Sequence, residues 1–209
     1  MRTGLIGGLT MRLMRIALAI AAVLVAAGCL PVTSTTPVGT TVGLTADDAL
    51  YGTWKGHSVD GDDKSDKPTV YLHFLKGKSG TLSALLVTAA GSKDDDWMAF
   101  NLRTATLGKN HYMNAVQTFD SNGAVEGGLK NANIPVLYSF GRHHTLTLYM
   151  LDEAKVTKAI QDRKIAGTVE SGAFGDVTIT ADAAALDALM ATPEAAKLFK
   201  VFVVLHKTE

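Results

Sequence analysis

Between residues 50 and 151, apolar and polar side chains alternate with period two in one short run after another. Residues 69–75 place Val70, Leu72 and Phe74 on one face and Tyr71 and His73 on the other. Residues 81–88 return with Leu82, Ala84 and Leu86 on one face. Met98, Phe100 and Leu102 then alternate with Ala99, Asn101 and Arg103. Residues 111–119 form a further candidate strand. Val136, Tyr138 and Phe140 share one face of residues 136–140, and Leu146, Leu148 and Met150 share one face of residues 145–151. Period two is the signature of an extended strand, whose successive side chains point to opposite faces. Turn-forming clusters separate the runs, among them Lys76-Gly77-Lys78-Ser79-Gly80 and residues 91–96. So many one-sided strands in succession predict a mainly β fold, an antiparallel sheet with one wet face rolled into a barrel. The alternative is a β-sandwich or an open α+β sheet.

The period changes in the C-terminal half. Val156, Ala159 and Ile160 are at helical spacing within residues 152–164, and Gly167 lies just beyond. Residues 167–171 and 177–180 are strand-like. Asp182 caps a second helix running to Met190, and Thr192-Pro193 opens a further turn towards Phe199. The barrel therefore carries two helical segments in this half. Residues 201–205 are apolar on both faces, as expected of a terminal strand that closes a barrel or lies beneath a helix.

The N-terminus is of a different kind. Residues 1–28 hold three arginines and no acid, and the apolar run from Ile16 to Ala27 is twelve residues long. That is shorter than the roughly 17–25 residues that span a bilayer. A basic start, a short apolar stretch and a small-residue end form a secretory signal peptide. Met1, Met11 and Met14 are all compatible with such a start. The stretch ends in Val25-Ala26-Ala27-Gly28-Cys29, the single cysteine of the chain. This resembles the lipobox of bacterial lipoproteins. The resemblance implies diacylglyceryl transfer to the Cys29 thiol, cleavage before it, and an acylated new amino terminus. It departs from the commoner pattern in having Ala26 where Leu is usual. Each buried methylene contributes about 0.8 kcal/mol, and two or three chains on one residue hold firmly. Leu30 follows the cysteine, where Asp favours the inner membrane of Gram-negative members; the resemblance thus implies the periplasmic face of the outer membrane. Removing residues 1–28 leaves 181 residues with 17 basic and 20 acidic side chains.

Residues 30–46 carry no charge and are rich in Thr, with Pro31, Pro37, Gly39 and Gly43. This composition predicts an extended, flexible tether behind the lipidated Cys29, reaching roughly 55–60 Å at about 3.3–3.6 Å per residue. The alternative is that part of it pairs as an edge strand. The globular domain is then expected over residues 47–209.

Within that domain, Gly52-Thr53-Trp54 resembles the G-x-W of lipocalins, which lies on their first barrel strand. The resemblance implies that Trp54 closes one end of the barrel against a basic residue on a late strand, a part open to Lys207 or His206. The order of elements over most of residues 47–209 fits, with a helix before the last strand. The helical segment near 152–164 departs from the lipocalin order. The bottom-up reading of Trp54 is a core tryptophan of any β fold.

Chemical signatures are sparse. Gly77-Lys78-Ser79 ends like a phosphate loop but has Leu72 where the pattern needs glycine. Residues 60–66 hold acids without the bidentate Glu of a calcium loop. His143 and His144 are adjacent, so on a strand they face apart and on a tight turn they diverge. There is no G-x-S-x-G. No metal site or cofactor is expected, and a neutral chain is a poor polyanion binder. Three functions stay open. The first is a membrane-anchored envelope protein holding a small apolar or lipid-like ligand in its barrel, with Trp54, Phe74, Phe100, Tyr138 and Leu148 as the lining. The second is a structural or protein-interaction lipoprotein with a filled core, partnered by an envelope protein. The third is an enzyme in which His73, His111 or His143 converges with carboxylates.

The anchor is directly testable. Cys29→Ser should release the protein from membranes or leave an uncut precursor, read by fractionation and gel mobility. Unchanged partitioning with unchanged mobility would contradict it.

Overall fold

The computed structural model of the chain describes residues 31–59, 68–78, 80–89, 96–125, 129, 131–170 and 176–208. Residues 1–30, which include Cys29 and the expected signal peptide, and the acidic residues 60–66 lie outside the described residues.

The alternating runs are strands of one closed sheet. In chain order these are β2 (Gly52–Ser58), β3 (Thr69–Lys76), β4 (Leu82–Ala89), β5 (Asp96–Leu107), β6 (Asn110–Asp120), β8 (Ile134–Gly141), β9 (Thr145–Leu151) and β12 (Phe199–Thr208). Each pairs antiparallel with the next, β5 and β6 close one side, and β12 returns to β2, so eight strands form a barrel without a free edge. The two-residue β7 (Gly123–Ala124) extends the top of β6. This is the lipocalin-like barrel that the pattern predicts, rather than a sandwich or an open sheet. Closure satisfies the backbone groups that an edge would leave unpaired.

The seam between β2 and β12 joins residues about 150 positions apart, with Trp54 opposite Lys207 and Gly56 opposite Leu205. Gly56 is required there, because a Cβ would fall 2.0 Å from the Val204 carbonyl oxygen. A glycine in a strand marks such a close backbone approach. β12 also carries a bulge between Val201 and Val203, which lets an apolar run serve two faces. Val203 and Leu205 point into the barrel, and Phe199 packs outside it.

Two cores result. One fills the barrel and includes Trp54, Leu72, Phe74, Leu102, Tyr138 and Leu148. The other lies between the outer wall and the insertion that joins β9 to β12. That insertion holds α1 (Glu153–Gln161), β10 (Gly167–Val169), β11 (Val177–Ile179), α2 (Ala183–Met190) and a 3-10 helix (Pro193–Leu198). Asp152 and Asp182 cap the two α-helices, accepting from the amides of Lys155 and Ala185. Val156, Leu186 and Met190 are fully buried beneath them. Tyr112 on β6 donates its hydroxyl to the Met190 carbonyl at 2.8 Å, pinning α2 to the barrel.

The expected tether is corrected by the structure from Val32 onward. Thr33–Ser34 form β1, parallel to β11, in a three-stranded sheet ordered β1-β11-β10. Val32 and Val38 are buried in the outer core. The Asp187 carboxylate, buried on α2, accepts from Gly39 N at 2.6 Å, Thr41 N at 2.8 Å and Thr41 Oγ1 at 2.6 Å. Asn114 on β6 brackets Val38, accepting from its amide at 2.7 Å and donating to its carbonyl at 2.8 Å. Low charge and abundant threonine here mark a packed strap. The partners, Asp187 and Asn114, are far away in sequence, so composition alone reads the segment as solvated. The folded unit thus starts near Val32 rather than at residue 47.

The strap gives a stability prediction. Asp187→Ala removes three hydrogen bonds to one buried carboxylate and should cost about 2–4 kcal/mol in urea unfolding. Amide exchange at Gly39 and Thr41 should accelerate with it. An unchanged urea midpoint would contradict the strap.

Candidate functional site

The barrel has two unlike ends. At one, β2 begins, the hairpins β3–β4, β5–β6 and β8–β9 turn, and the strap arrives through the paired backbones of Thr45 and Thr104. A 3-10 turn, Asp48–Leu50, plugs this end. Leu50 is completely buried, and its carbonyl accepts from Trp54 Nε1 at 2.7 Å. Asp47 joins plug to wall: one carboxylate oxygen caps the 3-10 turn at Ala49 N, and the other accepts the Tyr138 hydroxyl at 2.8 Å. Burial first, then the neighbouring Asp47 carboxylate, push the Tyr138 phenol well above its ordinary value. Lys207 Nζ lies 5.3 Å from the centroid of the Trp54 ring. A cation over an indole face contributes about 0.5–1 kcal/mol at an exposed site and more when desolvated. Lys207, and not His206, is the basic residue at Trp54; His206 pairs with Lys55 on the opposite face. Gly52 has φ +114, and its Cβ position faces Lys207 Cε at 3.0 Å.

The other end is the mouth, where β3, β5, β8 and β12 begin. The five side chains expected to line a cavity all face inward and share one cluster. Trp54, Phe74, Tyr138 and Leu148 are buried, packed in the lower barrel with no more than 5% exposure each. Phe100 alone is half-buried, and it is joined by Leu86, Met150 and Phe202, which are also only partly covered. The inward face is therefore filled beneath and incompletely covered above. Leu86 and Met150 already stood on the correct faces of their alternating runs. Which end of each strand meets the mouth follows from the barrel topology and not from the period.

Two clefts open on the surface. One, of about 520 Å³, runs along the outer wall and is lined by Lys109, Leu137, Tyr149, Lys155, Phe199 and Lys200 among others. Another, of about 400 Å³, lies at the plugged end between Trp54, Phe140, His143, His144 and Lys207. His143 and His144 form the two central positions of the β8–β9 turn, both in the left-handed region with φ 57 and 55. Such positions ordinarily favour Asn or Gly, and both histidines border this cleft. His73 bonds Thr53 on the outer wall at 3.0 Å, and His111 bonds Thr106 at 3.0 Å. The histidines named for an enzyme do not converge. Among the described residues no group of three or more His, Cys, Asp or Glu is placed to hold a metal ion. No helix among them is long and apolar enough to cross a membrane.

No protein-family model, curated protein or solved structure matches the chain.

The buried phenols predict alkaline behaviour. Burial pushes Tyr112 up to about 12 from 10.0. A phenol raised in the folded state contributes stability fully present below pH 10 and lost as pH climbs through the folded value. Stability should therefore fall between about pH 10 and 12, with Tyr112 and Tyr138 both ionising above the ordinary phenol value. Absorbance at 295 nm during titration reads this, and Tyr112→Phe should make the alkaline loss shallower. Ionisation of Tyr112 near pH 10 would contradict it.

Proposed function

We propose that this chain is a lipid-anchored envelope protein whose barrel takes a small apolar or lipid-like ligand at its mouth. The fold is a closed eight-stranded barrel of the kind that can hold one small ligand. The observation that carries the reading is the change in packing along the inward face. It is mainly apolar, sealed around Trp54 and Phe74, and only partly covered at Leu86, Phe100, Met150 and Phe202. Apolar walls with few polar groups suit a ligand with little hydrogen-bonding capacity. The ligand would sit shallowly, because Trp54, Tyr138 and Leu148 occupy the lower barrel. The leader ending at Cys29 supports the anchor.

That same filling favours one other reading, a structural or protein-interaction lipoprotein that works through its outer surface. The two clefts, one along the outer wall and one at the plugged end, support it. A constant partner trapped by crosslinking in the native envelope would favour this second reading.

The ligand reading is tested on the acylated protein extracted in mild detergent. Native mass spectrometry should show a co-purified apolar molecule, and a fluorescent fatty acid should bind. Phe100→Asp places a charge in the apolar mouth and should weaken that binding at least about tenfold, which corresponds to about 1.4 kcal/mol. No co-purified molecule and no difference between the two proteins would overturn the ligand reading.

A further inference from the structure

The strap that replaces the expected tether decides how an anchored barrel stands on a bilayer. Val32 is buried and Ser34 exchanges backbone hydrogen bonds with Asn133, at 2.8 and 3.2 Å. Asn133 immediately precedes β8, which starts at the mouth. From there the strap runs down the outer wall past Asn114 to Thr104 and the plug. The chain therefore enters the fold beside the mouth, and Cys29 precedes Val32 by three residues. Three extended residues reach no further than about 11 Å. A free tether over residues 30–46 would have let any face approach the membrane; this one does not.

The mouth end also carries exposed apolar side chains. Trp97 at the start of β5 is 38% exposed, Phe119 at the end of β6 is 52%, Val169 at the end of β10 is 39% and Val201 near the start of β12 is 37%. Trp97 and Phe119 stand on the outer wall of neighbouring strands, beside Ala99, which pairs with Phe119. Apolar exposure alone does not choose an end, because Leu75, Phe140 and Val42 are exposed towards the plug. The position of the anchor makes the choice. Asp96 and Asp120 sit beside Trp97 and Phe119, so burial of apolar surface, and not attraction to anionic lipid, would hold the contact.

We infer that the mouth end docks on the bilayer surface that holds the acylated Cys29, with Trp97 and Phe119 seated at the headgroup boundary and the plugged end facing away. The inference rests on the lipoprotein reading of Cys29. It deepens the ligand reading too, since a mouth against the membrane receives an apolar molecule without passing it through water.

The two tryptophans of the chain make the test internal. Trp97 is on the mouth rim, and Trp54 is 2% exposed at the plugged end. The full protein, purified from membranes, is placed in phosphatidylcholine vesicles whose acyl chains are brominated near the headgroup. Intact mass reports the acyl chains on Cys29. Quenching should remove the Trp97 share of the emission and spare Trp54, and Trp97→Phe should leave an emission that bromine does not change. Acylated protein whose Trp97 is unquenched overturns the orientation while leaving the lipoprotein reading in place. A mass without acyl chains overturns the lipoprotein reading itself. Quenching of Trp54 instead would show that the plugged end faces the bilayer, and would also overturn the orientation.

Discussion

Closure of the sheet between β2 and β12 is the constraint on which the rest of this molecule depends. The first and last barrel strands are separated by the whole remainder of the wall, and their pairing converts a one-sided sheet into an enclosed core. It works because Gly56 has no side chain where the Val204 carbonyl passes. Below that contact, Trp54 fills the end of the barrel between the Leu50 carbonyl and the Lys207 ammonium. Each of these needs the seam to bring residues 50–56 and 203–207 into register. Long-range pairing of this kind costs loop entropy before it returns contacts, so the aromatic, cationic and close-packed features concentrated at the seam are what hold the ends together.

The polar groups outside the barrel do a second job. Asp187 and Asn114 are buried, and each is satisfied by the backbone of one strap. A buried carboxylate is tolerated when amide and hydroxyl donors surround it. Together with β1 they carry the chain from the mouth to the plug, where Asp47 ties the 3-10 turn to Tyr138. Seam, plug and strap thus form one continuous structure, and a membrane anchor at its upper end would act on the orientation of the whole barrel.

The barrel was legible in the sequence because period two survives in almost every wall strand. The faces named for Leu72, Leu86, Phe100, Tyr138 and Leu148 are the inward faces of the structure. Closure was legible in outline, since residues 201–205 are apolar on both sides and a bulge at Val201/Val203 serves them both. Of the strap, only the pairing of Thr33–Ser34 as an edge strand was open from the sequence. Its threonines and glycines have the composition of a linker, and its partners are single residues, Asp187 and Asn114, some 75 to 150 positions away. Periodicity tells inside from outside, while the height of Trp54 or Phe100 in the barrel depends on strand tilt and register.

The proposed apolar mouth, facing the lipid that would hold an acylated Cys29, can be tested at its lining. The most direct measurement uses vesicles containing a phospholipid with a photoreactive diazirine in its acyl chain, followed by mass-spectrometric mapping of the adducts. Adducts are expected on Phe100, Met150 and Phe202 inside the mouth and on Trp97 and Phe119 at its rim. Adducts gathered instead on Leu75 and Phe140 at the plugged end, or a barrel that takes none, would contradict it.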